Sequence, residues 1–577
     1  MPQPSPALSR ILPFLHWRTV WARHGLRGDL IAGLSVALVM VPQSLAYAQL
    51  AGFPPHYGLY AGMLPTIVAA LFGSSPYLST GAVALTGMLT AASVGPMAAA
   101  GSPAYLALGI TLALIAGLIQ LALGLLRQGW VLNLLSRPVF NGFINAATLL
   151  ICFSQLPVLL GAPGPRASEL ATEAARVIGA LTSPHWHTLA FGLLSLAALR
   201  LLQRFAPRVP GVLVVVAATI ALSHAIGFST SGGAVVGEIP RALPSLQLPA
   251  LPRWEQLGTL LPAAFVIALV SFLEAASSAR RLGEQAGRAW NENQELIGQG
   301  LGKLAAACSG TLPTSASFSR SALSYKTGAQ TGLAQIVSAL AVMLATLTLA
   351  QWLHELPKAV LAAIILHAVA NLFDAPAMFR VWRIDRDDAL AAWATFVATL
   401  VFAPNIHTGV LTGLLLSLAL LIWRTMKPRV ALLGLHVDGT YRDLDRFGLE
   451  HPHPAMAILR FDGALRFVNT ARFAESVEWA RRAQPGIRVV LVAGSGINGI
   501  DSTGVDSLMQ LAEKLGARGQ TLALCGLKKQ VIDVLERDPR WPLIAPHALY
   551  RHEAAAVTAL DALLEPKKSF DNGNLRP

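Results

Sequence analysis

Arg320 stands in the run TLPTSASFSRSALSYKTG, residues 311–328, among small hydroxylated side chains and between two long apolar stretches. A guanidinium keeps its proton, and at bilayer depth it costs about 2.5 to 3.5 kcal/mol on insertion scales, which points to a polar pathway or an anionic partner. The competing reading is a structural pair with a carboxylate. One is available: Glu274, in AAFVIALVSFLEAASSARR, is acidic within an otherwise apolar helix. A carboxyl group placed there is a candidate proton carrier, and with Ser271, Ser277 and Ser278 beside it the same group could help to hold sodium. A third feature is Pro42-Gln43, followed one turn later by Tyr47. Proline interrupts the helix and frees backbone groups that must find partners, and Gln43 offers an amide beside them, as a ligand position or as part of a plain kink. Neither a GxxxxGKS/T run nor GxGxxG after a strand occurs, so no primary pump is supported. No nucleophile with its base, metal cluster or paired catalytic carboxylates stands at motif spacing, so the chain reads as no enzyme and calls for no cofactor.

The elements that position these residues follow from composition. Of 577 residues 54% are hydrophobic and only 13% charged, far from the roughly 25% charged of a soluble domain, and the chain reads as a polytopic membrane protein embedded in lipid. The net charge of +13 falls at the ends of apolar segments rather than along one basic face, which argues against nucleic acid. Apolar segments lie near 30–50, 58–72, 82–98, 104–126, 139–160, 187–203 and 210–227, then near 258–280, 294–310, 318–325, 332–353, 358–373, 389–403 and 407–423. That is seven plus seven. In each half the third segment is short or preceded by an extended stretch, PYLSTG at 76–81 and PTSAS at 313–317, the pattern of broken helices in an inverted repeat. Arginines cluster on one side under alternation: Arg18, Arg23 and Arg27; Arg200, Arg204 and Arg208; Arg280, Arg281 and Arg288; Arg380, Arg383 and Arg386; Arg424, Lys427 and Arg429. The positive-inside rule makes that side cytoplasmic and predicts both termini there, in a plasma or inner membrane. The N-terminal stretch lacks signal-peptide features, so the first membrane helix is expected to direct insertion.

From about residue 428 the sequence turns to alternating, mixed-charge patterns. AMAILRF at 455–461, RVVLVAG at 488–494 and TLALCGL at 521–527 read as strands. The stretches 471–483 and 503–519 read as amphipathic helices, together predicting an α/β domain. The expected division is a cytoplasmic segment 1–28, a transmembrane domain 29–427, the α/β domain 428–565 and a disordered tail 566–577. Cys152, Cys308 and Cys525 are too far apart to suggest a metal or disulfide framework. Asn291, Asn293, Gln294 and Glu295 precede an apolar run and read as a helix start or vestibule lining.

VPQSLAYAQLAGFPPHYGLYAGMLP, together with NQELIGQGLGKLAAACSGTLPTSASFSRSALSYKTGAQT at 293–331, resembles the sulfate permease family of anion transporters. LRFDGALRFVNTARF at 459–473 and INGIDSTGVDSL at 497–508 resemble the STAS domain shared by those transporters and anti-sigma-factor antagonists. The resemblance implies a fourteen-segment fold of core and gate domains and a homodimer. It places an anion pocket at Gln43 and Tyr47, at Thr80, Gly81, Ala82, Val83 and Ala84, and at Phe318, Ser319 and Arg320. It makes Glu274, with Ser278, the coupling-ion position, with a proton favoured and sodium possible, and makes Ser502 either a phosphosite or a helix cap. Many relatives carry Gly-Pro where this chain has Gly81-Ala82, and Ala82 restores an N–H that proline lacks. The function expected is secondary transport of sulfate, with dicarboxylate or sodium-coupled bicarbonate transport, or an anion channel or sensor, as alternatives.

Overall fold

The computed structural model describes residues 12–162, 170–206, 209–249, 253–370 and 372–564, in two compact units divided at Ser417 and Leu418. The expected tail 566–577 and the first eleven residues lie outside the described residues.

Each of the fourteen apolar segments is helical, the first thirteen within the first unit and the last running across its boundary. They are α1 (Arg27–Leu50), a second segment made of the short helix His56–Ala61 and α2 (Leu64–Phe72), α3 (Ala84–Val94), α4 (Pro103–Leu125), α5 (Arg137–Leu159), α6 (Trp186–Phe205) and α7 (Gly211–Ala225). The second half supplies α8 (Trp254–Ala286), α9 (Glu292–Cys308), α10 (Phe318–Lys326), α11 (Leu333–Leu353), α12 (Lys358–Ala370), α13 (Arg386–Val401) and α14 (Ile406–Met426). Among the described residues, eight helices are long and apolar enough to cross a membrane. Leu194, Phe205, Leu344, Trp352, Val401 and Leu415 are 63 to 74% exposed. Apolar surface of that extent suits lipid rather than water.

The third helix of each half is short, 11 residues in α3 and 9 in α10, or roughly 16 and 14 Å at 1.5 Å per residue, so neither alone spans a core of about 30 Å. Each follows an extended pair, β1 (Thr80–Gly81) and β2 (Ser315–Ala316), and these pair antiparallel with Thr80 opposite Ala316 and Gly81 opposite Ser315. One expectation needs correcting: Pro42 does not interrupt α1, which runs continuously from Arg27 to Leu50 with the proline inside it. Neighbouring helices pack along α1 on several sides, the setting in which an intramembrane proline is tolerated.

The helices sort into two groups, each drawing equally on both halves. α1 packs on α11, and α4 on α9 and α8; α5 packs on α13 and α12, and α6 on α12. Small residues on α9 make the closest approach possible. A Cβ at Gly298 would lie 2.6 Å from Gly73 Cα, at Gly300 2.7 Å from the Leu121 nitrogen, and at Gly302 3.1 Å from Ala69 Cβ. These three glycines therefore wedge α9 between α4 and α2, packing of the kind that lets intramembrane backbones touch.

The second unit holds a five-stranded sheet in the order β4-β3-β5-β6-β7, from β3 (Arg429–Leu435), β4 (Tyr441–Asp443), β5 (Met456–Asp462), β6 (Val489–Ala493) and β7 (Thr521–Cys525). β5, β6 and β7 are parallel and β3 pairs antiparallel to β5. Helices α15 (Thr470–Arg482), α16 (Ser502–Gly516), α17 (Lys529–Leu535) and α18 (Glu553–Leu564) cover it. Phe461, Phe473, Leu508 and Leu535 form one apolar layer, and Ile458, Leu491, Ala523 and Leu560 the other. A sheet covered on both faces accounts for β6 being buried at every position.

Candidate functional site

The β1–β2 pair brings the starts of α3 and α10 to one place. The ladder is extended by Ser317 N donating to the Ser79 carbonyl at 2.9 Å and Ser79 N donating to Ser321 Oγ at 3.0 Å. Behind β1, Thr66 Oγ1 donates to the Thr80 carbonyl at 2.7 Å and Gln299 Nε2 to Thr80 Oγ1 at 3.0 Å. Behind β2, Ser315 Oγ lies 3.1 Å from the Ser271 carbonyl. Neither α3 nor α10 has a side-chain cap at its start, whereas Ser102 caps α4 and Asn291 caps α9. Two uncapped helix N-termini, each equivalent to about half a positive charge, are elements from which a backbone anion site can be built.

Arg320, in the first turn of α10, is fully buried. Its Nη1 and Nη2 both donate to the Ala82 carbonyl at 3.2 Å, Nη1 donates to Gln43 Oε1 at 3.4 Å, and Nε donates to Ser79 Oγ at 3.3 Å. All these acceptors are neutral, and among the described residues no carboxylate pairs with Arg320. The structural ion pair with Glu274 is therefore not made. A buried guanidinium whose direct acceptors are all neutral is a candidate partner for a mobile anion.

Of the residues named from sequence, Gln43, Ala82 and Arg320 are joined directly. Gly81 is in the same contact, since a Cβ there would come 3.2 Å from Arg320 Nη2 and 2.6 Å from Met40 Cε. Thr80, Val83 and Ala84 are buried in the turn into α3, and Tyr47 is buried on α1, its carbonyl 3.0 Å from where a Cβ of Gly87 in α3 would sit. Phe318 is half-buried and Ser319 exposed at the start of α10, with Ser319 Oγ 3.3 Å from Ser317 Oγ.

Glu274 is buried on α8 and its Oε2 lies 3.2 Å from Ser315 Oγ. The carboxyl group thus touches β2, two residues before the cap position of α10. Ser271 Oγ is engaged by Gln120, Ser277 is exposed, and no hydrogen bond joins the buried Ser278 to Glu274 among the described residues. Asn291 caps α9 through Gln294 N at 3.0 Å. Glu295 is no vestibule residue: it is buried, accepting from Ser74 N at 2.9 Å, Ser75 N at 3.0 Å and Gln299 Nε2 at 3.0 Å. In the second unit the cap of α16 is Asp501, whose Oδ1 accepts from Gly504 N at 2.8 Å, so Ser502 is not the cap. It is exposed in the first helical turn.

Sequence reasoning missed Gln120, Gln299 and Lys303. Lys303 could have been found by the signal that marked Arg320, a basic side chain in an apolar stretch. The two amides carry no such mark. Among the described residues no cluster of His, Cys, Asp and Glu is arranged to hold a metal ion.

A model of the sulfate permease family matches residues 26–395, and a STAS domain model matches residues 450–538. The chain is 34% identical over 519 residues to a "Probable sulfate transporter" of Mycobacterium tuberculosis, covering 89% of this chain and 92% of that one. It is 30% identical to "Sulfate transporter 4.1, chloroplastic" of Arabidopsis thaliana, covering 91% and 78%. In fold it is similar to the murine anion transporter Slc26a9 in its inward-facing state, with a TM-score of 0.88 at 22% identity over 97% of this chain and 95% of that one. The transmembrane domain of the cyanobacterial bicarbonate transporter BicA superposes with a TM-score of 0.60 at 24% identity, over 68% and 98%.

Proposed function

Since this chain belongs to the sulfate permease family and is a multi-pass membrane transporter of anions rather than an enzyme, we propose that it carries sulfate into the cell together with a proton. The observation that carries the reading is Arg320, fully buried and bonded only to neutral oxygens where two uncapped half-helices meet. A dianion suits this arrangement, because one fixed positive charge and two helix N-termini sum to about two units of charge. The curated relatives named as sulfate transporters support sulfate over other anions.

Glu274 supplies the coupling. Ser315 Oγ has one hydrogen but two oxygens in reach, the Ser271 carbonyl at 3.1 Å and Glu274 Oε2 at 3.2 Å. With the serine hydrogen on the Ser271 carbonyl, a protonated Glu274 that donates to Ser315 Oγ satisfies both contacts. Protonation at Glu274 is thereby felt by β2 and by the start of α10, next to the anion. Movement of the α1–α4 and α8–α11 group against the remaining helices then exposes the pocket to the other side. In this reading both termini and the STAS domain are cytoplasmic, the protein acts in the plasma or inner membrane as a homodimer, and Ser502 is available to a kinase.

The test is uptake of labelled sulfate into proteoliposomes under imposed proton or sodium gradients, with fumarate and bicarbonate as competitors. Sulfate accumulation that follows the proton gradient and is lost in Glu274→Gln is the expected result. Accumulation driven by sodium alone would overturn the coupling assignment, and uptake of bicarbonate but not sulfate would overturn the substrate.

A further inference from the structure

Lys303 has no part in the transport cycle described so far, yet it is fully buried at the centre of the α4–α8–α9 packing. Its Nζ donates to Gln120 Oε1 at 2.9 Å. Gln120 Nε2 in turn donates to the Ala268 carbonyl at 2.6 Å and to Ser271 Oγ at 3.0 Å. The Ser271 carbonyl is the one that Ser315 Oγ approaches, and Ser315 is the residue that touches Glu274. Ser271 therefore stands between the ammonium of α9 and the carboxyl group of α8, its hydroxyl bonded to Gln120 and its carbonyl to Ser315.

The other charges around Lys303 are few. The elements packed on α9 are α4, α2, α8, β2 and the short turn Gly129–Leu134. α2, β2 and that turn carry no titratable side chain, and α4 carries only Tyr105, about four turns away and bonded to the Ala51 carbonyl. On α8, Glu255, Arg280, Arg281 and Glu284 are exposed towards the ends, leaving Glu274 in the buried stretch. On α9 itself, Glu292 pairs with Arg280, and Glu295 is held by Ser74, Ser75 and Gln299. Arg320 of α10 is committed to Ala82, Gln43 and Ser79. Of the acids on α8 and α9, Glu274 is the one connected to Lys303 by way of Gln120, Ser271 and Ser315.

The ammonium also fixes an orientation. With Oε1 of Gln120 turned to Lys303, the amide presents only N–H to α8, and the Ala268 carbonyl and Ser271 hydroxyl each already accept a hydrogen bond from it. A hard cation such as sodium needs several oxygen ligands free at once. We propose that Lys303 selects the coupling ion: its tethered ammonium supplies from within the protein the positive charge a metal cation would bring to the oxygens between Gln120 and Glu274, so that Glu274 exchanges a proton instead. This inference rests on the proton-coupled reading above and goes one residue further.

The experiment is sulfate uptake into proteoliposomes for wild type, Lys303→Met and Lys303→Arg, each under a proton or a sodium gradient. Sulfate binding is followed separately by thermal shift. Wild type and Lys303→Arg are expected to follow the proton gradient and ignore sodium. Lys303→Met is expected to bind sulfate within threefold of wild type, to lose most of its pH dependence, and to gain severalfold stimulation by sodium. If Lys303→Met does not fold, the isosteric Gln120→Glu, which cancels the ammonium charge in place, should show the same sodium response. A wild type indifferent to the proton gradient would overturn the coupling reading itself. A proton-driven wild type with a folded Lys303→Met or Gln120→Glu of identical pH profile and no sodium response would overturn the role of Lys303 alone.

Discussion

Replacing Arg320 by glutamine removes a full positive charge at the meeting of α3 and α10 while keeping an amide able to reach Ser79 or the Ala82 carbonyl. A hydrogen bond to a charged group contributes about 1.5 to 3 kcal/mol. At about 1.4 kcal/mol per tenfold, loss of the guanidinium should weaken sulfate binding roughly 10- to 150-fold. The two helix N-termini remain, each contributing about 0.3 to 1 kcal/mol and up to about 2 in buried geometry, so binding should weaken rather than vanish. Because Arg320 bonds only to neutral oxygens, no buried carboxylate is orphaned, and the sulfate-free protein should melt within a few degrees of wild type. Arg320→Lys keeps the charge but loses the two-pronged contact with the Ala82 carbonyl, so it should fall between the two. Sulfate titration by calorimetry, with thermal melts of the sulfate-free proteins, reads both quantities. A Kd unchanged within threefold in Arg320→Gln would refute the pocket reading, and collapse of the sulfate-free protein with normal affinity in the surviving fraction would make Arg320 structural.

Three further outcomes are expected. Gly300→Val should abolish folded protein on size-exclusion chromatography, because its Cβ would lie 2.7 Å from the Leu121 nitrogen and 3.0 Å from the Gly117 carbonyl, backbone atoms that cannot step aside. Asp501→Ala should destabilise the STAS domain by about 1 kcal/mol through loss of its cap, whereas Ser502→Ala should change the melt of that domain by less than half as much. Glu478 is hydrogen-bonded by Arg481 and also flanked by Arg482, and these hold its carboxyl group down from about 4.5 to about 2. A lowered carboxylate pKa stabilises the fold above the unfolded value and loses that stabilisation as pH falls towards the folded one. Glu478→Gln should therefore unfold more easily than wild type at neutral pH, with the difference shrinking between pH 4.5 and 2 in acid titrations followed by circular dichroism.

The membrane elements were legible because lipid imposes a rule that a linear pattern can obey: long apolar runs with polar breaks. All fourteen segments are helical, and the extended stretches before the third helix of each half are β1 and β2. The continuity of α1 through Pro42 was not legible, since whether a proline breaks a helix depends on what packs around it. In the STAS domain the three parallel strands showed as apolar runs, while β4, only three residues and half-exposed, left no such pattern. Asp501 and Ser502 are adjacent in sequence and chemically equal as caps, so only the backbone dihedrals decide that Asp501 stands outside the helix and Ser502 within it.

By itself the sequence determined the class of the protein, its helices, and the two charges that matter, because an arginine or a glutamate in an apolar run is visible without coordinates. What Arg320 and Glu274 do with their charges was decided by tertiary structure. The two are close enough in kind to suggest a pair, yet the antiparallel β1–β2 contact turns Arg320 towards the Ala82 carbonyl and leaves Glu274 to Ser315. The choice between a closed ion pair and an open anion site is a matter of a few ångströms between segments more than 40 residues apart, and no local pattern encodes such a distance.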